Sequence, residues 1–341
     1  MSDLSPSVKR LNPVKILLGL AAFAGLALLW LWPQFLIEMA GFVAWSLLVV
    51  APIVVPGIVL AAWIMASGAG SRIAGAFEGR MVYSIFAASA IGAITPVCGV
   101  TVLPLMAGLL AAGVPLAPVM AFWLSSPVTD PAMLATTAAT LGVAFAVGKT
   151  VAAFGLGLWG GAVTSVFAGR GWAKASLRDN AIVGKLSQRT CGSPLKFAPY
   201  IWNDRQRMTV FRQTFAATTR LILICLIPAF AAEFALNAVL QPDALSAYVG
   251  SEAWWAIPFA VFVGAPAYLD GYAALPLTRG LMDHGMSPGA AMAFLVSGGV
   301  VSIWGAMAIF PVLRLKPFVL YLVLALTGSL AAGYGFDWIM L

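Results

Sequence analysis

Six charged side chains stand inside stretches that are otherwise apolar: Asp130, Lys149, Arg220, Glu233, Asp270 and Arg279. A charge in such surroundings is costly unless it faces a cavity or a partner. Asp130 lies in Ser125-Ser126-Pro127-Val128-Thr129-Asp130-Pro131, and Asp270 in Pro266-Ala267-Tyr268-Leu269-Asp270-Gly271. A carboxyl in an apolar stretch can take up and release a proton near neutral pH, so both are candidates for proton coupling. Each could equally cap the start of a half-helix. Lys149 could pair with a carboxylate or attract an anion. Arg220 and Glu233 stand near opposite ends of one stretch, where long side chains reach back to the interface. Cys98 lies between Val97 and Gly99. Its thiolate suits arsenic(III), mercury or copper(I), and its thiol would also serve as a small buried hydrophobe. Met120 and Met292 offer soft sulfur or core packing. A single histidine, His284, provides no histidine-based zinc centre. An aspartyl pair, Asp130 with Asp270, would make an intramembrane hydrolase only if the carboxyls approached to about 3 Å.

The elements that must position these groups are membrane helices. The chain has 341 residues, 62% hydrophobic and 9% charged, with a mean hydropathy of +0.97. A soluble domain is about a quarter charged, and a membrane barrel gives only a weak hydropathy signal. The remaining class is an all-α polytopic membrane protein. The net charge of +7 resides in residues 169–212, where nine Lys and Arg face Asp179 and Asp204. Such a loop marks the cytoplasmic side rather than a nucleic-acid site. Three scattered cysteines support neither a zinc site nor a disulfide framework. Without a phosphate-binding GxxxxGK[ST] loop, transport energy would come from an ion gradient or a partner, and no cofactor is expected.

Residues 1–40 are expected to be a tail and first span, with Glu38 in an outside turn. Residues 41–168 and 213–341 form two further blocks joined by the basic loop 169–212. Segments 81–112 and 253–283 are long and broken at their centres by Pro and Gly. Crossing once, the first would leave the basic loop outside. As a hairpin entering from the cytoplasm it leaves the loop inside. About seven full spans plus two hairpins result, with the N-terminus inside and the C-terminus outside.

An offset of 172 residues superposes the two blocks. Gly92-Ala93 meets Gly264-Ala265, Leu103-Pro104-Leu105 meets Leu275-Pro276-Leu277, Gly113 meets Gly285, and Met120-Ala121-Phe122 meets Met292-Ala293-Phe294. Residues 92–126 carry thirteen such identities where about three are expected from composition. An odd number of crossings between copies makes the repeats inverted, as in secondary transporters whose broken helices meet at mid-membrane. Gly, Pro and Ala also recur in helix bundles for packing alone.

The strings TPVCGV (95–100), GVPLAPVMAFWLSSPVTD (113–130) and GMSPGAAMAF (285–294) resemble the paired signatures of the ArsP-type predicted permeases. That family consists of bacterial inner-membrane permeases whose characterised members export organoarsenicals. The resemblance implies a multi-pass efflux permease, not an enzyme, with homodimerisation expected at the family level. A permease for another soft metal or metalloid ion, or for a small sulfur-containing anion, is the alternative. Relatives often carry two or more cysteines at the first hairpin tip. Here Cys98 stands alone and Asp270 occupies its repeat position, which argues against a three-thiolate arsenite site. The substrate site is expected at the hairpin tips and broken spans. It takes Thr95, Pro96, Cys98 and Gly99 from the first tip, and Tyr268, Gly271 and Tyr272 from the second. Ser125, Ser126 and Thr129 come from one broken span, Ser297 and Trp304 from the other, and Tyr and Trp offer stacking surfaces.

Overall fold

In the computed structural model, the residues described are 33–69, 80–95, 102–111, 113–179, 197–239, 255–265, 274–301 and 303–340. They are almost wholly helical. Five of their segments are long and apolar enough to cross a membrane: Pro33–Pro52, Val143–Val166, Arg205–Pro228, Pro288–Met307 and Leu315–Met340. Large apolar side chains such as Val82, Phe262 and Trp338 are exposed on the outer faces, as lipid requires.

In the first half, α1 (Pro33–Ser67) is followed by α2 (Met81–Ile94), α3 (Leu103–Ala111), α4 (Leu116–Ser125), α5 (Pro131–Leu141) and α6 (Val143–Val166). A single turn, α7 (Gly171–Lys174), begins the basic stretch. The second half holds α8 (Arg205–Val239), α9 (Ala256–Gly264), α10 (Ala274–Asp283), α11 (Pro288–Val300), α12 (Ile303–Ile309) and α13 (Leu315–Met340). Two boundaries differ from the sequence expectation. Glu38 stands inside α1 rather than in a turn, because the helix carries this single charge on into the apolar stretch that follows. Arg205, Arg207 and Arg212 belong to the start of α8 rather than to a loop.

Local chemistry ends and starts these helices at matching places. Gly113 and Gly285 adopt φ of +94° and +100°, a conformation open to glycine. Around Gly113, its own N–H donates to Leu110 O and that of Val114 to Leu109 O. Around Gly285, the donors are Gly285 and Met286 and the acceptors Met282 and Leu281. Both are the paired bonds that close a helix C-terminus. Asp130 and Ser287 cap helices that have Pro at the first position, Pro131 and Pro288.

Packing also corresponds. A Cβ on Gly92 would lie 2.0 Å from Ser125 Oγ and 2.9 Å from Phe122 O; one on Gly264 would lie 2.5 Å from Ser297 Oγ and 2.7 Å from Phe294 O. Gly161 packs on Ile85 and Ala121, and Gly333 on Ile257 and Ala293. Thus α4 is sandwiched by α2 and α6, and α11 by α9 and α13. The long helices α1 and α8 run antiparallel. Phe35 and Phe42 meet Phe234 at one end, and Arg207 reaches the last carbonyls of α1, Ala66 and Ser67, at the other.

Candidate functional site

The two helices that break at mid-course, α4–α5 and α11–α12, meet at their breaks. A Cβ on Gly299 would lie 2.8 Å from Pro127 O, so only glycine lets this carbonyl approach. These residues are 172 apart, which makes the contact one between corresponding positions of the two halves.

At the first break, Ser126 and Thr129 are buried, and Asp130 is half-buried at its edge. One Asp130 carboxylate oxygen accepts the N–H groups of Ala132 and Met133, each at 2.8 Å. The cap that the sequence permits is therefore formed, which orders the chain as it leaves the break. Ser125 Oγ donates to its own helix, at Ala121 O and Phe122 O, and Ser297 Oγ to Phe294 O. Both hydroxyls also lie where Gly92 and Gly264 approach, so they shape the contacts of α4 with α2 and of α11 with α9. Thr95 turns its hydroxyl back on Ile91 O at the end of α2.

Ser126 Oγ and Trp123 Nε1 are buried and have no hydrogen-bond partner among the described residues. They stand three residues apart, on one face of the helix end. A buried donor without an acceptor costs about 1–3 kcal/mol, so such a pair marks a place where a polar atom is stabilised. Trp123 is one of several aromatic residues near the breaks. Its ring lies against Tyr321 of α13, with centroids 5.4 Å apart.

Tyr321 ties the second break. Its hydroxyl donates to the carbonyl of Val300, the last residue of α11, which the break has deprived of a helical partner. Sequence reasoning passed over this residue, although one signal was present. Tyr321 is the repeat counterpart of Lys149, and Val300 that of Val128. Lys149 is buried on α6 at 2% exposure. Where the second half holds its break with a tyrosine, the first half has a lysine at the corresponding position.

Other expected site residues are not brought together with these. Pro96, Cys98, Gly99, Tyr268, Asp270, Gly271 and Tyr272 lie outside the described residues. Trp304 belongs to α12 by its backbone. Arg279, expected among the intramembrane charges, is exposed and pairs with Asp283 at 3.1 Å. Among the described residues no group of three or more His, Cys, Asp or Glu could hold a metal ion.

Both ends of the first broken segment line one cavity of about 300 Å³: Met81 from the start of α2, and Leu110 and Gly113 from the end of α3, with Thr164, Lys174 and Ser176 across from them.

No solved structure matches the chain. Over 135 residues it is 31% identical to the UPF0718 protein MJ0584 of Methanocaldococcus jannaschii, an alignment covering 39% of this chain and 37% of the relative. The ArsP_1 model, described as a predicted permease, matches residues 36–337, and the chain belongs to that permease family.

Proposed function

We propose that this membrane permease is a secondary transporter of the bacterial inner membrane that exports organoarsenicals in exchange for protons. In this reading the halves are inverted repeats, and the segments 81–112 and 253–283 are re-entrant hairpins. The observation that carries it is the contact of Pro127 with Gly299. Two interrupted helices from opposite halves touch at their interruptions, the arrangement in which unwound backbone and half-helix ends surround a substrate at mid-membrane. The donors of Trp123 and Ser126 support a polar substrate end at the first break, and the neighbouring rings support an apolar or aryl end. Rocking of one half against the other about this contact would expose the site alternately to the two sides.

Asp130 and Asp270 are proposed as the proton carriers. The cap made by Asp130 is compatible with this role if the carboxyl exchanges amide contacts for a proton during the cycle. Cys98 remains the proposed soft ligand for arsenic.

The test is resistance of an arsenic-sensitive bacterial strain to methyl- and aryl-arsenicals, joined to uptake of the same compounds by inverted membrane vesicles under an imposed proton gradient. Protection together with gradient-dependent uptake is expected. Equal killing with and without verified expression of the protein rejects the substrate, and uptake indifferent to the gradient rejects the coupling.

A further inference from the structure

We propose that the cavity of about 300 Å³ between α2, α4 and the end of α6 binds the phosphate headgroup of an anionic phospholipid. The inference rests on the family's membrane placement and not on the arsenical reading.

The cavity sits at the edge of the apolar layer. Thr164, in its wall, is two residues from the end of the membrane-length helix α6, and Ala168, Ala173, Lys174 and Ser176 follow beyond it. This is the depth of headgroups, not of acyl chains.

Among the described residues that line it, the charge is of one sign. Lys174 contributes an ammonium to the lining. Arg80 adjoins the lining residue Met81, and Arg170 opens the turn that carries Ala173 and Lys174; both arginines are exposed. Asp179 is the acidic side chain among the described residues 160–179. Basic pockets between membrane helices on the cytoplasmic side select anionic headgroups. The starts of α2 and α4 lie at the rim, and neither carries a side-chain cap, so their dipoles add to the positive field.

The mouth separates a lipid from a free anion. Val82 follows Met81 and is 83% exposed; Val166 follows Thr164 by two residues and is 78% exposed. These exposed apolar side chains neighbour lining residues in sequence, and acyl chains would run along them. A soluble phosphate would gain nothing from them, whereas a phospholipid would contact cation and hydrocarbon together.

Native mass spectrometry of the full chain, exchanged into phosphatidylglycerol or phosphatidylcholine, tests the site. Phosphatidylglycerol is expected to be retained at least fivefold more than phosphatidylcholine. Lys174→Ala, and Ala168→Trp placed from an exposed position to fill the cavity, should each remove most of that preference. Lys316→Ala, a change of an exposed cation elsewhere, should keep it. Melting temperature in phosphatidylcholine identifies any variant that has failed to fold, and the remaining variant then decides. Equal retention of the two lipids, or preference unchanged in a folded variant, overturns the proposal. Displacement of phosphatidylglycerol by millimolar inorganic phosphate overturns the lipid assignment and makes the cavity a small-anion site.

Discussion

Leu156 of α6 packs directly onto Gly328 of α13, its counterpart 172 residues later; a Cβ at Gly328 would lie 2.0 Å from Leu156 Cδ1. Pro127 touches Gly299 in the same way, and Ala51 and Leu223 line one apolar cavity between α1 and α8. Two pairs of corresponding residues therefore touch, and a third pair shares one cavity. Corresponding points meet in this manner along an axis of two-fold rotation. Such pairs, and the opposite directions of α1 and α8, are what the proposed inverted repeat requires.

The glycines at the close approaches should be intolerant of any side chain. Gly92→Leu and Gly264→Leu would drive carbon into a serine hydroxyl and a backbone carbonyl, and overpacking of this kind costs about 1–3 kcal/mol or more. Gly155 has open space around it. Gly155→Ala should instead raise the melting temperature, by about 0.4–1 kcal/mol of added stability. Thermal melts of the three variants in one detergent check the contrast.

Tyr321→Phe keeps the ring against Trp123 and removes only the donor to Val300 O. A buried carbonyl left unpaired costs about 1–3 kcal/mol, so the variant should unfold at lower temperature. If the tie also sets the geometry of the second break, maximal transport rate should fall while the apparent substrate affinity changes less. Initial-rate uptake over a substrate series separates the two quantities.

Asp130 can be divided into cap and proton carrier by two substitutions. Asn is also a strong N-cap residue, so Asp130→Asn should remain folded to within a few tenths of a kcal/mol, whereas Asp130→Ala should lose about 1 kcal/mol. On the proposed mechanism both lose gradient-driven transport. Full proton-driven uptake by Asp130→Asn would leave the aspartate with capping alone.

Trp123 and Ser126 offer a test that needs no knowledge of the substrate. If the donors serve a ligand, Ser126→Ala should leave the ligand-free protein as stable or make it slightly more stable, because it removes a buried unpaired group. Transport of the cognate compound should weaken through a raised KM. A lowered melting temperature with unchanged KM would assign Ser126 to the scaffold.

Much of this architecture could be read before any coordinates, because it is written in residues with strong local preferences. Pro127 and Pro131 marked the first break, and Gly113 and Gly285, matched by the 172-residue offset, proved to sit in turns with positive φ. Asp130 and Ser287 preceded prolines as helix starts do. What escaped depends on distant segments meeting. The bond from Tyr321 to Val300 spans two helices and follows no short pattern. The same holds for Arg207, whose guanidinium reaches the end of α1 from a segment expected to be loop. Glu38 was misplaced for another reason: one charge in an apolar run suggested a turn, whereas the helix carries it through. The hairpin tips, with Cys98 and Asp270, lie outside the described residues.

Beyond the end of α6, residues 176–178 lie against 312–314 like two rungs of a ladder. Arg178 donates from its backbone to Val312 O and from Nε to Leu313 O, while Arg314 donates from its backbone to Ser176 O and from Nε to Leu177 O. Arg178 also covers the ring of Phe310. The stitch joins the first half to the second without using the peptide chain between them, and Arg207 of α8, which donates to the end of α1, makes a second stitch elsewhere. A polypeptide severed between Asp179 and Asp204 would thus still possess the means to reassemble, and its two fragments, produced together from separate messages, should be recovered as one complex.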